Sequence, residues 1–382
     1  LIVLASLAAE GTPRLALWLS REWKRMGIRP IVIVMHTLPN DLASDFATLD
    51  IEHIDLNLRE DGYGRYFALA YRIFSIARKY HPSALLSMPL GWHAFMAIGA
   101  RIAGVQSIVA HVGNCPDSSA GRTLSKFRLL VQLGRPFTNS LICCSHYVRN
   151  GAISRLGVSN KETEVIYNGL PLGAFVKRQI QREAHSAAEP FIVGMVARLE
   201  QHKDQPTLIR AARILKQRGR NIRVWLIGEG SRRRELEFLI NSEGVGDVVD
   251  LLGMRKNIAE LIGKMDLFAF STSADEGLGI ALLEAIATGV PVIASDVGAC
   301  REVLDDGALG QLVPAANPRE LADAIDAALL RPDAAKQRAE KAYRKALRTF
   351  SIEDMALRYA ILLNIAPSPQ DSHSTTVAYS FT

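Results

Sequence analysis

Short apolar runs alternate with amphipathic stretches from the first residue to beyond position 360. In the first half the runs are LIVLAS, RPIVIVM, IEHIDLN, ALLSMP, SIVAHV, SLICCS and EVIYNG, with helical patterns between most of them. Apolar residues are mostly consecutive within a run, as in strands buried on both faces. Residues 171–190, PLGAFVKRQIQREAHSAAEP, have no sustained period and end in Pro190, so they read as a connection. Six further strand-like runs follow: FIVGMVA, RVWLIGEG, VVDLLG, LFAFST, VPVIAS and GQLVP. Helical spacing marks PTLIRAARILKQRG and PRELADAIDAALL, and after Pro332 also AAKQRAEKAYRKALRTF and IEDMALRYAILLNI. The polar tail from Pro367 reads as disordered. This alternation predicts an α/β protein with two doubly wound parallel-sheet Rossmann-like domains facing across a cleft. The expected boundaries are a first domain over 1–170, a linker over 171–190, a second domain over 191–350, a helix over 351–366 that can cross back to the first domain, and the tail 367–382. Ligands in such folds bind outside the carboxyl ends of the strands.

Charge sharpens this picture on one side only. The net charge of +6 arises entirely in residues 1–170, where 18 Lys or Arg face 12 Asp or Glu, while the remainder balances 27 against 27. No acidic residue lies between Asp117 and Glu162, a window holding Arg122, Lys126, Arg128, Arg135, Arg149, Arg155 and Lys161. Such a window attracts phosphate-bearing surfaces. Within it, TLSKFRLLVQL places Leu124, Phe127, Leu130 and Val131 on one helical stripe with Lys126 and Arg128 off it. Two readings stand: a helix resting on anionic lipid, and a core-facing helix with a basic solvent side. A nucleic-acid partner is not expected, because no aromatic and basic motif accompanies the charge. Cys115, Cys143, Cys144 and Cys300 have neither zinc-ligand nor disulfide-framework spacing, which suits a reducing cytoplasm. The most apolar long stretch, 94–110, is broken by Arg101 and Gln106, so no membrane span is predicted. A cytoplasmic site, with peripheral contact at the inner face of the cytoplasmic membrane as an option, is the expected location.

The densest chemistry lies in EGLGIALLEAIATGVPVIASDVGACRE, from Glu276 to Glu302. Gly277 and Gly279 lack a Cβ, so backbone can come close to a ligand, and a helix starting near Gly279 points its partly positive end at a phosphate. Glu276 precedes that helix, and Glu284 sits about a turn and a half inside it between Leu283 and Ala285. A carboxylate on an apolar helix is costly unless something donates to it. Two such acceptors can each hold a pair of hydroxyls, one on a transferred sugar and one on a ribose. Arg198 and Lys203 leave the strand GMVA together, where a diphosphate would need cations. Gly228 and Gly230 follow another strand in a G-x-G that reads as turn chemistry, with Ser231 placed to cap the next helix. Gly253, Met254 and Arg255 end VVDLLG, where exposed backbone can meet a base edge.

With these residues in place, the chain resembles the family 4 retaining glycosyltransferases of GT-B architecture. The resemblance covers most of the chain and is carried by GMVARLEQHKD, LIGEGSRRRELE, the run from LLGMRKNIAEL through EGLGIALLEAIATGVPVIASDVGACRE, CCSHYVRNGAISRLG and VIYNG. It implies that the first domain takes the acceptor and the second the nucleotide sugar. It further implies that Arg198 and Lys203 hold the donor diphosphate, Glu276 the sugar hydroxyls and Glu284 the ribose. Backbone of Gly277, Leu278 and Gly279 would contact the sugar, Ile280 and Ala281 the phosphate, and Met254 or Arg255 the base. Gly11 occupies the expected glycine loop of the first domain, and His111 the expected strand end beside the reacting carbon. Departures are Glu10 in place of a second loop glycine, Asp204 after Lys203 where glycine is common, Ala299 near Glu302, and Pro171 and Leu172 after the Asn-Gly pair.

The implied reaction moves a glycosyl group, with retention, from a nucleoside-diphosphate sugar to an acceptor sugar or lipid-linked sugar in cell-surface polysaccharide or glycolipid synthesis. No Asp-x-Asp occurs in the chain, so neither metal nor other cofactor is expected. Rival readings are a non-catalytic sugar-nucleotide-binding protein and a GT-B-type epimerase or phosphorylase.

Overall fold

A computed structural model describes residues 1–58, 62–114, 121–175 and 189–366. Cys115, most of the 171–190 connection and the tail from Pro367 lie outside the described residues. All thirteen apolar runs form strands. The first seven are β1 (Ile2–Leu4), β2 (Ile31–Val34), β3 (Glu52–Asp55), β4 (Ala84–Ser87), β5 (Ser107–Val112), β6 (Ser140–Cys143) and β7 (Thr163–Val165). They make one parallel sheet in the order β3-β2-β1-β4-β5-β6-β7. The other six are β8 (Phe191–Val196), β9 (Ile222–Ile227), β10 (Val249–Gly253), β11 (Leu267–Phe270), β12 (Val292–Ser295) and β13 (Gln311–Val313). Their parallel sheet runs β10-β9-β8-β11-β12-β13.

The winding direction reverses between β1 and β4 in the first sheet and between β8 and β11 in the second. A crevice opens at each reversal, outside the carboxyl ends. Of the strands flanking the reversals, β1, β4 and β11 are buried throughout and β8 is buried at its centre, which is why their sequences read as unbroken apolar runs. Strand β3, at a sheet edge, exposes Glu52, His53 and Asp55.

The connections between domains lie side by side. Leu170 N–H donates to Phe350 O (2.8 Å) and Ile352 N–H to Leu170 O (3.0 Å). A side chain at Gly169 would strike Ser351 O at 2.5 Å. Beyond this crossing, Ser351 caps the helix Ile352–Leu362 by accepting from Asp354 N–H. That helix lies on the helix Gly11–Arg25, where Trp23 Nε1 donates to Ala356 O at 2.9 Å, and it buries Tyr359 completely. The helix Pro332–Thr349 instead packs on the helix Ile280–Thr288 of the second domain through Ala342 and Ala346.

The basic segment of the first domain forms the helix Gly121–Gly134. Val131 is buried, and Leu124 and Phe127 pack against the same core, while Lys126 and Arg128 are exposed. The predicted stripe therefore faces inward; Leu129, on the outer side, is 68% exposed. Among the described residues no helix is long and apolar enough to cross a membrane.

Candidate functional site

The loop after β11 enters the cleft and its glycines have separate duties. A Cβ on Gly277 would lie 1.8 Å from Gly113 O of the first domain, so only glycine permits this approach. Ser145 Oγ, also from the first domain, donates to Gly277 O at 2.9 Å. The missing Cβ of Gly277 thus serves contact between the domains. Gly279 has φ +78° at the cap of the helix Ile280–Thr288, and a Cβ there would meet Phe270. Farther out, Glu302 accepts the backbone N–H groups of His146 and Tyr147 and the Tyr167 hydroxyl, each at 2.8 Å, which ties the second domain to a helix start of the first.

Both predicted carboxylates are buried, Glu276 at 5% and Glu284 at 0% exposure. Lys203 Nζ donates to Glu276 Oε2, and Thr272 Oγ1 reaches the same oxygen at 3.3 Å. Burial pushes the Glu276 carboxyl up, but Lys203, His202 and the Gly277 N–H together outweigh it and the group sits below its ordinary value. Glu284 Oε1 accepts from Arg14 Nη2 of the first domain at 2.6 Å. There burial outweighs the cation, and the carboxyl sits above its ordinary value. Glu284 Oε2 is buried with no hydrogen-bond partner in the structure.

Arg198, past the end of β8, lies 3.5 Å from Glu10 across the cleft, with both side chains about two-fifths exposed. Glu10 thus faces the predicted diphosphate cation directly. It is also the cap residue of the helix Gly11–Arg25, which has no side-chain cap bond and no acid in its first turn. A Cβ on Gly11 would lie 3.1 Å from Ile280 Cδ1, so this helix and Ile280–Thr288 bring their starts together at one place. Two helix starts meet there with Arg198 beside one of them, an arrangement suited to a polyanion. Asp204 has φ +34°, the left-handed region that favours glycine, and its Oδ2 accepts from Ser271 Oγ at 3.2 Å.

His111 is the penultimate residue of β5, with 2% exposure. Its Nδ1 is 2.9 Å from the Tyr359 hydroxyl, and its Nε2 faces Gly113, the residue that touches Gly277. Burial lowers the imidazole to about 4 and raises the Tyr359 phenol, so both are neutral near pH 7. Met254 and Arg255 are exposed after edge strand β10, two strands from Arg198. The contacts across and along the cleft link Gly11, His111, Arg198, Lys203, Glu276, Gly277, Gly279, Ile280 and Glu284, Leu278 and Ala281 pack in the core beside them, and Met254 and Arg255 stand to one side.

Two smaller expectations change. Ser231 does not cap the next helix, whose cap position is Arg232; its N–H and Oγ instead donate to Glu200. The Gly228 and Gly230 pair allows close backbone contact, since Cβ atoms there would strike Ala197 O and Leu199 O at 2.1 and 2.5 Å. Sequence reasoning missed Arg14 and Tyr359, whose partners are 270 and 248 residues away. Among the described residues no cluster of His, Cys, Asp or Glu is arranged to hold a metal.

Residues 9–173 match the family model described as Glycosyltransferase Family 4, and residues 176–345 match Glycosyl transferases group 1. EpsF of Bacillus subtilis (strain 168) is 31% identical over 210 residues, 53% of this chain and 54% of that protein. The N-acetylgalactosamine-N,N'-diacetylbacillosaminyl-diphospho-undecaprenol 4-alpha-N-acetylgalactosaminyltransferase of Campylobacter jejuni is 26% identical over 233 residues, 59% of this chain and 62% of that protein. The chain thus spans about half the length of the curated relatives it matches. The crystal structure of Anabaena HepE in complex with UDP and glucose superposes with a TM-score of 0.82 at 21% identity, over 95% of this chain and 98% of that one.

Proposed function

We propose, from the premise that this chain belongs to the family 4 glycosyltransferases of GT-B architecture, that it moves a glycosyl group from a nucleoside-diphosphate sugar to an acceptor hydroxyl. The observation that carries this reading is the buried Glu284 carboxylate, which keeps one oxygen without a donor on a helix whose start meets that of Gly11–Arg25. A hydroxyl-rich ligand bearing a diphosphate supplies what each of these groups lacks.

Along the carboxyl edge of the second sheet the ends of β10, β8 and β11 carry Met254 and Arg255, then Arg198, then Glu276. Strands two places apart are separated by about 9.6 Å, a spacing that suits a base at one end and a diphosphate at the other. In this pose Arg198, Lys203 and the Ile280 and Ala281 amides face the diphosphate. Glu276 and the backbone of Gly277, Leu278 and Gly279 hold the sugar, and Glu284 holds the ribose. The Gly11 loop closes over the phosphates from the first domain, and neutral His111 exchanges a hydrogen bond with the sugar.

As the glycosidic bond breaks, negative charge grows on the leaving diphosphate. Fixed cations and helix starts already aimed there stabilise it without reorganising. Lys203 spends one of its three donors on Glu276 and has two to offer a phosphate. These groups suffice without a metal bridging the phosphates, and retention and hexosyl transfer complete the reading. The acceptor, a sugar or a lipid-linked sugar, enters over the first domain. The exposed Lys126 and Arg128 suit peripheral contact with an anionic inner membrane face in the cytoplasm, in cell-surface polysaccharide or glycolipid synthesis.

A panel of nucleotide sugars, screened by thermal shift and then by nucleoside-diphosphate release, tests this. Turnover of one donor that disappears in Glu284→Ala and Lys203→Ala supports the reading. Tight binding without turnover would mark a non-catalytic sugar-nucleotide-binding protein, and conversion of the donor without release an epimerase.

A further inference from the structure

The two oxygens of Glu284 have different surroundings. Oε1 accepts from Arg14 at 2.6 Å, whereas Oε2 is buried without a partner. Arg14 lies in the first turn of the helix Gly11–Arg25, and its guanidinium stands 4.8 Å over the ring of Trp18, one turn along the same helix. The ring steadies the cation from behind. A guanidinium gripping one oxygen fixes the rotation of the carboxylate and with it the direction of the other oxygen. Arg14 also opposes the effect of burial on this carboxyl, which would otherwise be pushed still further up.

We propose that Arg14 is a positioning residue for ribose recognition: it turns Glu284 so that Oε2 meets the 2′- and 3′-hydroxyls of the nucleotide, and it does so from the opposite domain. The inference rests on the nucleotide-sugar reading of the cleft and adds that ribose selectivity requires both domains. Glu284 alone, on the second domain, has the carboxylate but not its orientation. Closing the cleft brings Arg14 and Glu284 together and completes the ribose site, so recognition of the nucleotide is coupled to closure.

The test is calorimetric titration of UDP, GDP and ADP, each beside its 2′-deoxy and 3′-deoxy counterparts. The proteins are the unaltered chain, Arg14→Lys, Arg14→Gln, Glu284→Gln and the double variant Arg14→Gln/Glu284→Gln. The unaltered protein should prefer the ribonucleotide it binds by about 10- to 100-fold, the worth of one charge-assisted hydrogen bond. Arg14→Gln should bring that preference close to one while leaving deoxynucleotide affinity in place, and Arg14→Lys should restore part of it. Glu284→Gln should lose the preference too, and adding Arg14→Gln to it should cost nothing more. If Arg14→Gln strands a buried charge and unfolds, Arg14→Lys and the comparison of Glu284→Gln with the double variant still decide. Full ribose preference in Arg14→Gln, or a double variant that binds deoxynucleotide more weakly than Glu284→Gln, overturns the inference and leaves the nucleotide-sugar reading standing. Failure of the unaltered protein to bind any of the three nucleotides overturns both.

Discussion

Glu276 and Glu284 stand eight residues apart, each buried and each held by one cation, yet the two pairs are built differently. Lys203 and Glu276 both belong to the second domain, so their contact survives any movement of the first. Arg14 and Glu284 come from opposite domains, so theirs exists only while the cleft holds its present closure. One half of the site lies within one domain and the other spans both. The electrostatics follow the same division, since Lys203, helped by His202 and the Gly277 N–H, overcomes the burial of Glu276, whereas Arg14, more exposed, does not overcome that of Glu284.

The sharpest way to break this comparison is to remove each cation. Lys203→Ala leaves a buried carboxylate without its cation inside one domain. It should abolish donor turnover, a loss of at least about 100- to 1,000-fold, and cost about 3–5 kcal/mol in stability by denaturant titration. Arg14→Ala should destabilise less, because burial already holds its partner's carboxyl above the ordinary value and the contact lies between the two domains. An equal loss in both variants would contradict the distinction between the half within one domain and the half that spans both.

Acidification separates the pairs by sign. A carboxyl held below its ordinary value of 4.5, as Glu276 is, contributes stability that is present above 4.5 and lost as pH falls through the depressed value. A carboxyl held above 4.5, as Glu284 is, contributes stability below 4.5 that is lost as pH rises through the raised value. The Tm deficit of Glu276→Gln should therefore shrink on acidification. The Tm of Glu284→Gln, relative to the unaltered protein, should rise from acid to neutral pH. Parallel profiles for the two variants would refute these opposite environments.

The smallest expected effect concerns Glu10, which shares Arg198 with the proposed diphosphate. Glu10→Gln should tighten nucleoside-diphosphate binding by no more than about fivefold, the worth of an exposed ion pair, and the gain should fade at high salt. Weaker binding would mean that Glu10 assists the anion, as a cap on its helix, rather than competing with it.

The sheets were legible in the sequence because strands covered on both faces must be apolar almost throughout, as FIVGMV and SIVAHV are. The second-domain half of the site was legible for a related reason. Its charged residues interrupt apolar elements within one stretch, where Glu284 between Leu283 and Ala285 has no bland explanation. Arg14 gave no such signal, since a cation in the first turn of an amphipathic helix reads as solvated, and only the meeting of the domains brings Glu284 to it. Tyr359 was hidden likewise, on a helix whose apolar face looked sufficient for its own burial. Gly277 was legible as glycine but not in its duty, because the carbonyl it accommodates belongs to Gly113 in the other domain.

The most direct test of the account is nucleoside-diphosphate release from a panel of UDP-, GDP- and ADP-sugars by the unaltered protein and by Lys203→Ala, each checked for folding by circular dichroism. The account predicts release from one donor by the unaltered protein and none by the folded variant. Release at an undiminished rate by Lys203→Ala, or no binding and no release with any donor by the unaltered protein, would contradict it.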